Sequence, residues 1–201
     1  MTNTLLKIKF LFFFSSFSIF SAFSFAESPL ELIQKTADEV MLDIQRNKKY
    51  YEEDPARLER FIGDKVSATF HFQKMTKSVM GRYWRKANPQ QQEEIMAQFK
   101  AMLIRTYASA LLNYSDKKIE YLPERINQNK AVVLTRIAQS GGAGIPVNYK
   151  LYQNKAKRWW IYDVVIDGIS LLTSYRGVFK KHIQRSGIDG LIKQLQTKKT
   201  S

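Results

Sequence analysis

The hydrophobic period of this chain changes at Lys117 and changes back after Gly168. Upstream, apolar residues recur every three or four positions, the spacing of one helix face; between the two points they recur every second position, the spacing of a strand. Helices first, consecutive strands next and helices last describe an α+β domain.

The local signals support that order. Ser28, Pro29 and Glu31 make a capping-box start, and Leu30, Ile33, Ala37, Val40, Met41 and Ile44 then share a helix face. Asp54 and Pro55 open a second helix carrying Leu58, Phe61, Ile62 and Val66, and residues 72–83 form a short aromatic segment. Asn88 and Pro89 start the longest helix, with Ile95, Phe99, Met102, Leu103, Thr106, Tyr107, Ala110, Leu111 and Tyr114 at helical spacing. Four strands are expected, at about 117–122, 130–138, 145–153 and 158–166. Gly141, Gly142 and Gly144 turn the second into the third, and Asn154 and Lys155 the third into the fourth. Such short connections imply an antiparallel meander. In the third strand Val147, Tyr149 and Leu151 alternate with Asn148, Lys150 and Tyr152; in the fourth, Trp160, Tyr162, Val164 and Ile166 alternate with Trp159, Ile161, Asp163 and Val165. Helices must cover one face of this four-stranded antiparallel sheet. A helix to about Arg185 and a short one from Gly187 to Leu195 complete the chain.

Lys7 and Lys9, an uncharged apolar stretch from Phe10 to Phe25, and small residues at Ser24 and Ala26 read as a secretory signal peptide over residues 1–26, cleaved after Ala26. The remaining residues 27–201 form one domain, sized to bury about 70% of its unfolded surface. With no cysteine in the chain, a lipid-anchored cleavage site, a disulfide and a thiolate metal site are all excluded. Without Lys7 and Lys9, 30 basic residues face 18 acidic ones, a formal charge of +12. That balance favours acidic partners, while export argues against nucleic acid. The cations are scattered along the sequence rather than run together.

The inventory leaves little room for catalysis. His71 and His182 are the only imidazoles, and no phosphate-cradling glycine loop or metal-binding His-Glu-x-x-His occurs. His71 sits among Phe70, Phe72 and Met75, as a hydrogen-bonded structural histidine would, and His182 beside Lys180 and Lys181 reads as a surface position. Asp163 and Asp167 lie near the end of the last strand, where a structural role is the simpler reading. No cofactor is expected. What the residues do supply is bulky apolar surface: Phe70, Phe72, Met75, Met80, Trp84, Phe99, Tyr107, Tyr149, Trp160, Tyr162 and Tyr175. Periodicity alone does not distinguish a filled core from a hollow one.

From Gly81-Arg82-Tyr83-Trp84-Arg85 the chain resembles the MlaC family, the periplasmic phospholipid-binding proteins of the Mla pathway, also known as toluene-tolerance proteins. The likeness continues through Asn88-Pro89-Gln90-Gln91 and the helix bearing Phe99, Leu103, Tyr107 and Leu111. It is strongest in Trp160-Ile161-Tyr162-Asp163-Val164, Gly168-Ile169-Ser170-Leu171, Tyr175-Arg176 and Gly187-Ile188-Asp189-Gly190-Leu191. His71 departs from it, standing where many relatives carry aspartate after the phenylalanine. The resemblance implies a cone-shaped, NTF2-like domain with an apolar cavity between sheet and helices, taking the acyl tails of a glycerophospholipid and leaving its headgroup outside. The tail pocket would draw on the bulky residues above with Leu103, Leu111, Val164, Ile166, Ile169 and Leu172; Arg82, Arg85 and Arg176 would stand at its mouth.

The same resemblance implies a non-enzymatic shuttle that maintains outer-membrane lipid asymmetry. Its partners would be an outer-membrane lipoprotein complex and an inner-membrane ABC transporter complex with a lipid-binding hexamer. Nothing in the sequence demands more than a monomer. Two other readings stay open: a periplasmic chaperone or adaptor that holds polypeptide or lipoprotein on an apolar face, and a small hydrolase on a related scaffold with Asp163 as base.

Overall fold

The capping box at Ser28 forms: its hydroxyl accepts from the Glu31 N–H, and the Glu31 carboxylate accepts from the Ser28 N–H at 2.8 Å. This start appears in a computed structural model that describes residues 27–139 and 141–197; the leader expected over residues 1–26 lies outside the described residues. Helix α1, Pro29–Arg46, buries Ile33, Val40, Met41 and Ile44. A short helix the sequence did not announce, α2 at Lys48–Glu53, leads through Asp54 into α3, Pro55–Ser67. Helix α4, Phe72–Met80, gives way to a 3-10 turn at Gly81–Lys86, and a second capping box at Asn88 and Gln91 opens α5, Pro89–Asn113.

The chain then builds one antiparallel sheet. Its main strands are β1 (Ile119–Tyr121), β3 (Lys130–Ile137), β4 (Ile145–Gln153) and β5 (Trp159–Ile166), close to the expected positions. Two short strands are additional: β2, Arg125–Asn127, pairs with β3, and β6, Ile169–Ser170, pairs with the end of β5. The sheet is therefore six-stranded, ordered β1-β3-β4-β5-β6 with β2 also on β3. Helix α6, Leu171–Thr197, is broken at Gly187, whose φ of 71° lies in the left-handed region open to glycine. That break separates the two helical segments read in the sequence.

The alternation in β5 does not run through. Lys150 pairs with Asp163 and Leu151 with Ile161, so Tyr162 has no partner and bulges. One extra residue reverses the facing of everything beyond it. Ile161, Val164 and Ile166 consequently share the inner face, while Trp160 and Tyr162 turn to the other, where the Tyr162 ring lies 6.1 Å from that of Tyr152.

Three apolar clusters form. Met80, Ile95, Phe99, Phe179 and Leu191 fill the space between α4, α5 and α6. Ile33 joins the inner face of the sheet at Ala131, Val133, Leu151 and Ile161. Val40, Ile44, Leu58, Ile62 and Ala108 knit α1, α3 and α5 together. Polar ties hold α1 to the chain beyond α5: the Tyr121 hydroxyl donates to Asp38 at 2.6 Å, the Leu30 N–H donates to Glu124 at 2.6 Å, and the Gln45 amide donates to the Ser115 carbonyl.

Candidate functional site

The sheet cluster and the α1–α3–α5 cluster do not merge. Between them lies a cavity of about 350 Å3. Thr135, Val147, Tyr149, Ile161 and Val164 form its sheet wall; Ala37, Val40, Val66, Leu103, Tyr107 and Leu111 form its helical wall; Phe70, bridged to Ile161, and Phe72 and Met75 of α4 also line it. The opening between the walls follows from side-chain size. Thr36, Ala37, Ala110, Thr135, Val147 and Val164 are all short, and they recur where a filled core would need leucine or phenylalanine.

Among the described residues no aspartate, glutamate, lysine, arginine or histidine lines this space. Its polar atoms are hydroxyls and buried backbone. The Thr135 hydroxyl donates to the Val147 carbonyl at 2.5 Å. Burial pushes the Tyr149 phenol up to about 12, and burial followed by the neighbouring Tyr175 pushes Tyr107 up to about 12. Both stay neutral at any physiological pH, so the walls carry no charge. Such a site can hold an apolar body by contact and burial; it offers no group for proton transfer at neutral pH. Apolar walls that face such a space forgo the contacts a filled core would give them.

Of the residues expected to line a tail pocket, Phe70, Phe72, Met75, Leu103, Tyr107, Leu111, Tyr149, Val164 and Ile166 lie in these walls. Met80, Phe99 and Leu172 are instead buried in the filled α4–α5–α6 cluster, with Trp84, Tyr162 and Tyr175 packed against it. Phe99 meets the Tyr175 and Phe179 rings edge-on at 5.4 and 5.2 Å, leaving no room for a ligand. Trp160 is on the outer face of the sheet beside His71, and Ile169 is 63% exposed in β6. The β5 bulge accounts for Trp160 and Tyr162; Phe99 falls on the part of α5 that faces α6, and Met80, Trp84, Leu172 and Tyr175 pack into the same cluster from α4, the 3-10 turn and α6.

Arg82, Arg85 and Arg176 do not rim the cavity either. Arg82 donates to the Tyr83 hydroxyl at 3.2 Å, Arg176 donates to the Ser78 carbonyl and hydroxyl at 3.0 and 2.9 Å, and Arg85 is exposed on the 3-10 turn. What the sequence reading missed is the contribution of α1, where Ile33, Thr36, Ala37, Val40 and Met41 all face the cavity. Their period was visible; the small Thr36-Ala37 pair in mid-stripe was the available signal that the wall stands off from its neighbour.

Asp163 is occupied elsewhere. Its carboxylate accepts from Lys150 at 3.0 Å, from the Ser170 hydroxyl at 2.8 Å and from the Leu172 N–H at 3.3 Å, anchoring the start of α6 where a negative charge suits the helix dipole. It does not line the cavity. His71 caps α4: its Nδ1 accepts from the Lys74 N–H at 3.1 Å. Aspartate performs the same capping task, which gives the departure at this position a structural meaning. Burial, and then the charges of Lys74 and Lys77, hold the imidazole below its ordinary range, as its acceptor role requires.

Comparison with known proteins identifies relatives over most of the chain. The MlaC protein family matches residues 34–197. The toluene tolerance protein ttg2D of Pseudomonas putida is 32% identical over 170 residues, covering 82% of this chain and 77% of that protein. The intermembrane phospholipid transport system binding protein MlaC of Haemophilus influenzae is 28% identical over 173 residues, 84% and 81% of the two chains. A solved structure of a phospholipid-binding protein from Ralstonia solanacearum, in complex with a phospholipid, superposes with a TM-score of 0.75 at 28% identity, covering 83% of this chain and 93% of that one. The chain belongs to the MlaC family.

Proposed function

We propose that this protein is a periplasmic carrier that binds glycerophospholipid by its acyl tails in the cavity between the sheet and α1, α3 and α5. The observation that carries this reading is an uncharged space of about 350 Å3 separating two clusters that would otherwise be one core. That volume is in the range of sites that bury small ligands, and the wall chemistry suits hydrocarbon. The energies agree. Keeping an acyl chain of about 15 methylenes from water is worth roughly 12 kcal/mol. The names of the relatives point to the same cargo.

A headgroup has no ionic partner in the cavity and stays outside, so headgroup selectivity is not expected. Residues 1–26 serve as the export signal and are removed, and no described helix is long and apolar enough to cross a membrane. The family resemblance supplies the finer reading: cargo moves between an outer-membrane lipoprotein complex and an inner-membrane ABC transporter complex, keeping the outer membrane asymmetric. The protein catalyses no reaction in this scheme, and Asp163 serves α6 rather than a substrate.

The test is native mass spectrometry of residues 27–201 purified without detergent, followed by solvent extraction and lipid identification. A stoichiometric diacyl glycerophospholipid adduct is expected. Well-folded protein that is empty and takes up no added phospholipid would overturn the carrier reading in favour of a protein-binding adaptor.

A further inference from the structure

The cations that look scattered in the sequence are gathered by the fold. Residues 65–92 and residues 168–188 contain no aspartate or glutamate, and they pack together as α4, the 3-10 turn and the part of α6 before Gly187. Exposed cations of the first stretch include Lys77, Arg82, Arg85 and Lys86, and those of the second Arg176, Lys180, Lys181 and Arg185. Arg176 reaches Ser78 of α4, and the hydrogen bond from Arg82, with the charges of Lys180 and Lys86 nearby, lowers the Tyr83 phenol below its ordinary range. Among the described residues none of these cations forms an ion pair. The carboxylate of Asp189, just beyond the second stretch, is held by the Gln91 amide at 2.7 Å.

Like charges concentrated this way repel one another, and no internal anion offsets them. None of them lines the cavity, so cargo does not account for them. Half are lysines, a residue depleted from the cores of protein interfaces where arginine is enriched. Clusters of four to eight lysines and arginines are, by contrast, the pattern that anionic lipid surfaces attract, through the summed charge and not through a fitted geometry. Half-buried Tyr83 and Trp84, the latter with the Lys77 ammonium 5.5 Å from its ring, supply the amphipathic aromatic groups suited to a headgroup layer, and Val178 is 44% exposed on the same part of α6.

We infer that the α4–α6 face is a docking surface for an anionic phospholipid bilayer. This contact is separate from the cavity and does not depend on what fills it.

The test is flotation of residues 27–201 with vesicles of phosphatidylcholine alone or of equal parts phosphatidylcholine and phosphatidylglycerol, at low and physiological salt. Binding is expected only to the anionic vesicles, weakening as salt rises. Reversing Arg82→Glu, Lys86→Glu, Lys180→Glu and Lys181→Glu together should weaken partition by at least about a hundredfold. Reversing the exposed Lys35, Lys48, Lys118 and Lys130 to glutamate should change it far less. Thermal melts and native mass spectra of both variants are expected to show intact folds and unchanged cargo; if the first reversal set unfolds, glutamine at the same positions replaces it. Wild-type protein that ignores anionic vesicles overturns the inference and leaves an acidic protein surface as the partner of this face. Equal losses in the two reversal sets overturn it as well, because net charge alone would then explain the binding.

Discussion

The two halves of α5 carry the same apolar period and end in opposite environments. Ile95, Phe99 and Met102 in the first half meet α4 and α6 and are sealed, Phe99 with no exposed surface. Tyr107, Ala110, Leu111 and Tyr114 in the second half keep the helical spacing, yet they look across a cavity at the sheet. The difference lies in what stands opposite. Phe179 and Tyr175 bring rings to Phe99, whereas Thr36, Ala37, Thr135 and Val147 bring only short side chains to the second half. A helix stripe states that burial is needed; the volume of the facing residues decides whether protein or ligand supplies it.

The largest test of this contrast is to strip the cargo. If the second half of α5 is completed by lipid, delipidated protein should lose several kcal/mol, read as a lower urea midpoint that recovers when phospholipid is returned. An unchanged midpoint would show that the walls collapse without cost.

Next comes Phe99→Ala, which removes a ring packed on all sides and should cost about 3–5 kcal/mol. Leu111→Ala in the cavity wall should cost less than the usual packed leucine, because part of its surface faces the cavity. Equal losses in urea titrations would erase the distinction between the halves.

Enlargement should give opposite signs. Ala110→Phe fills the cavity, so bound lipid should fall while the stripped protein gains about 0.5–2 kcal/mol. Val79→Phe in the filled cluster should lose about 1–3 kcal/mol and leave the lipid content of the folded fraction unchanged. Lipid extraction paired with thermal melts reads both.

The smallest effect concerns α4, which stands between the two regions with Met75 in contact with both. The His71 imidazole has its folded-state pKa lowered from 6.5, so the unfolded chain binds the proton more readily. Its contribution to stability is present above about pH 6.5 and is lost as pH falls through the folded-state value. His71→Asp keeps the cap, removes this acid-sensitive step and should add a few tenths to about 1 kcal/mol at pH 5.5. A melting profile in which the variant retains the same acid-sensitive step would remove His71 as its cause.

The element order was legible because period and caps are local. Ser28-Pro29-x-Glu31 and Asn88-Pro89-x-Gln91 each opened a helix where expected, and Gly187 broke the last one. Helix α2 was not legible: Lys48–Glu53 buries Tyr51 as its one sealed residue and shows no stripe. The short β2 and β6 exist through their pairing with longer neighbours, a nonlocal cause. The site was legible in part. Tyr107, Leu111, Tyr149 and Val164 reach the cavity because they follow the expected facing, while Trp160 and Tyr162 turn away through a bulge that depends on the register with β4. Phe99 and Tyr107 could not be told apart in the sequence, since their fates depend on residues between 28 and 80 positions away that only the fold brings near. The arginines followed the same logic in reverse: Arg176 looks isolated in the sequence, and only the packing of α4 on α6 brings it to Ser78.

The most direct test of a hollow region beside a filled one is photo-crosslinking from inside each. A photoreactive phenylalanine analogue placed singly at Leu111 and at Phe179, in protein loaded with phospholipid and then irradiated, reports by mass spectrometry which site lies against an acyl chain. A phospholipid adduct at Leu111 and none at Phe179 is the predicted result. Adducts at both sites in equal yield, or at Phe179 alone, would contradict it.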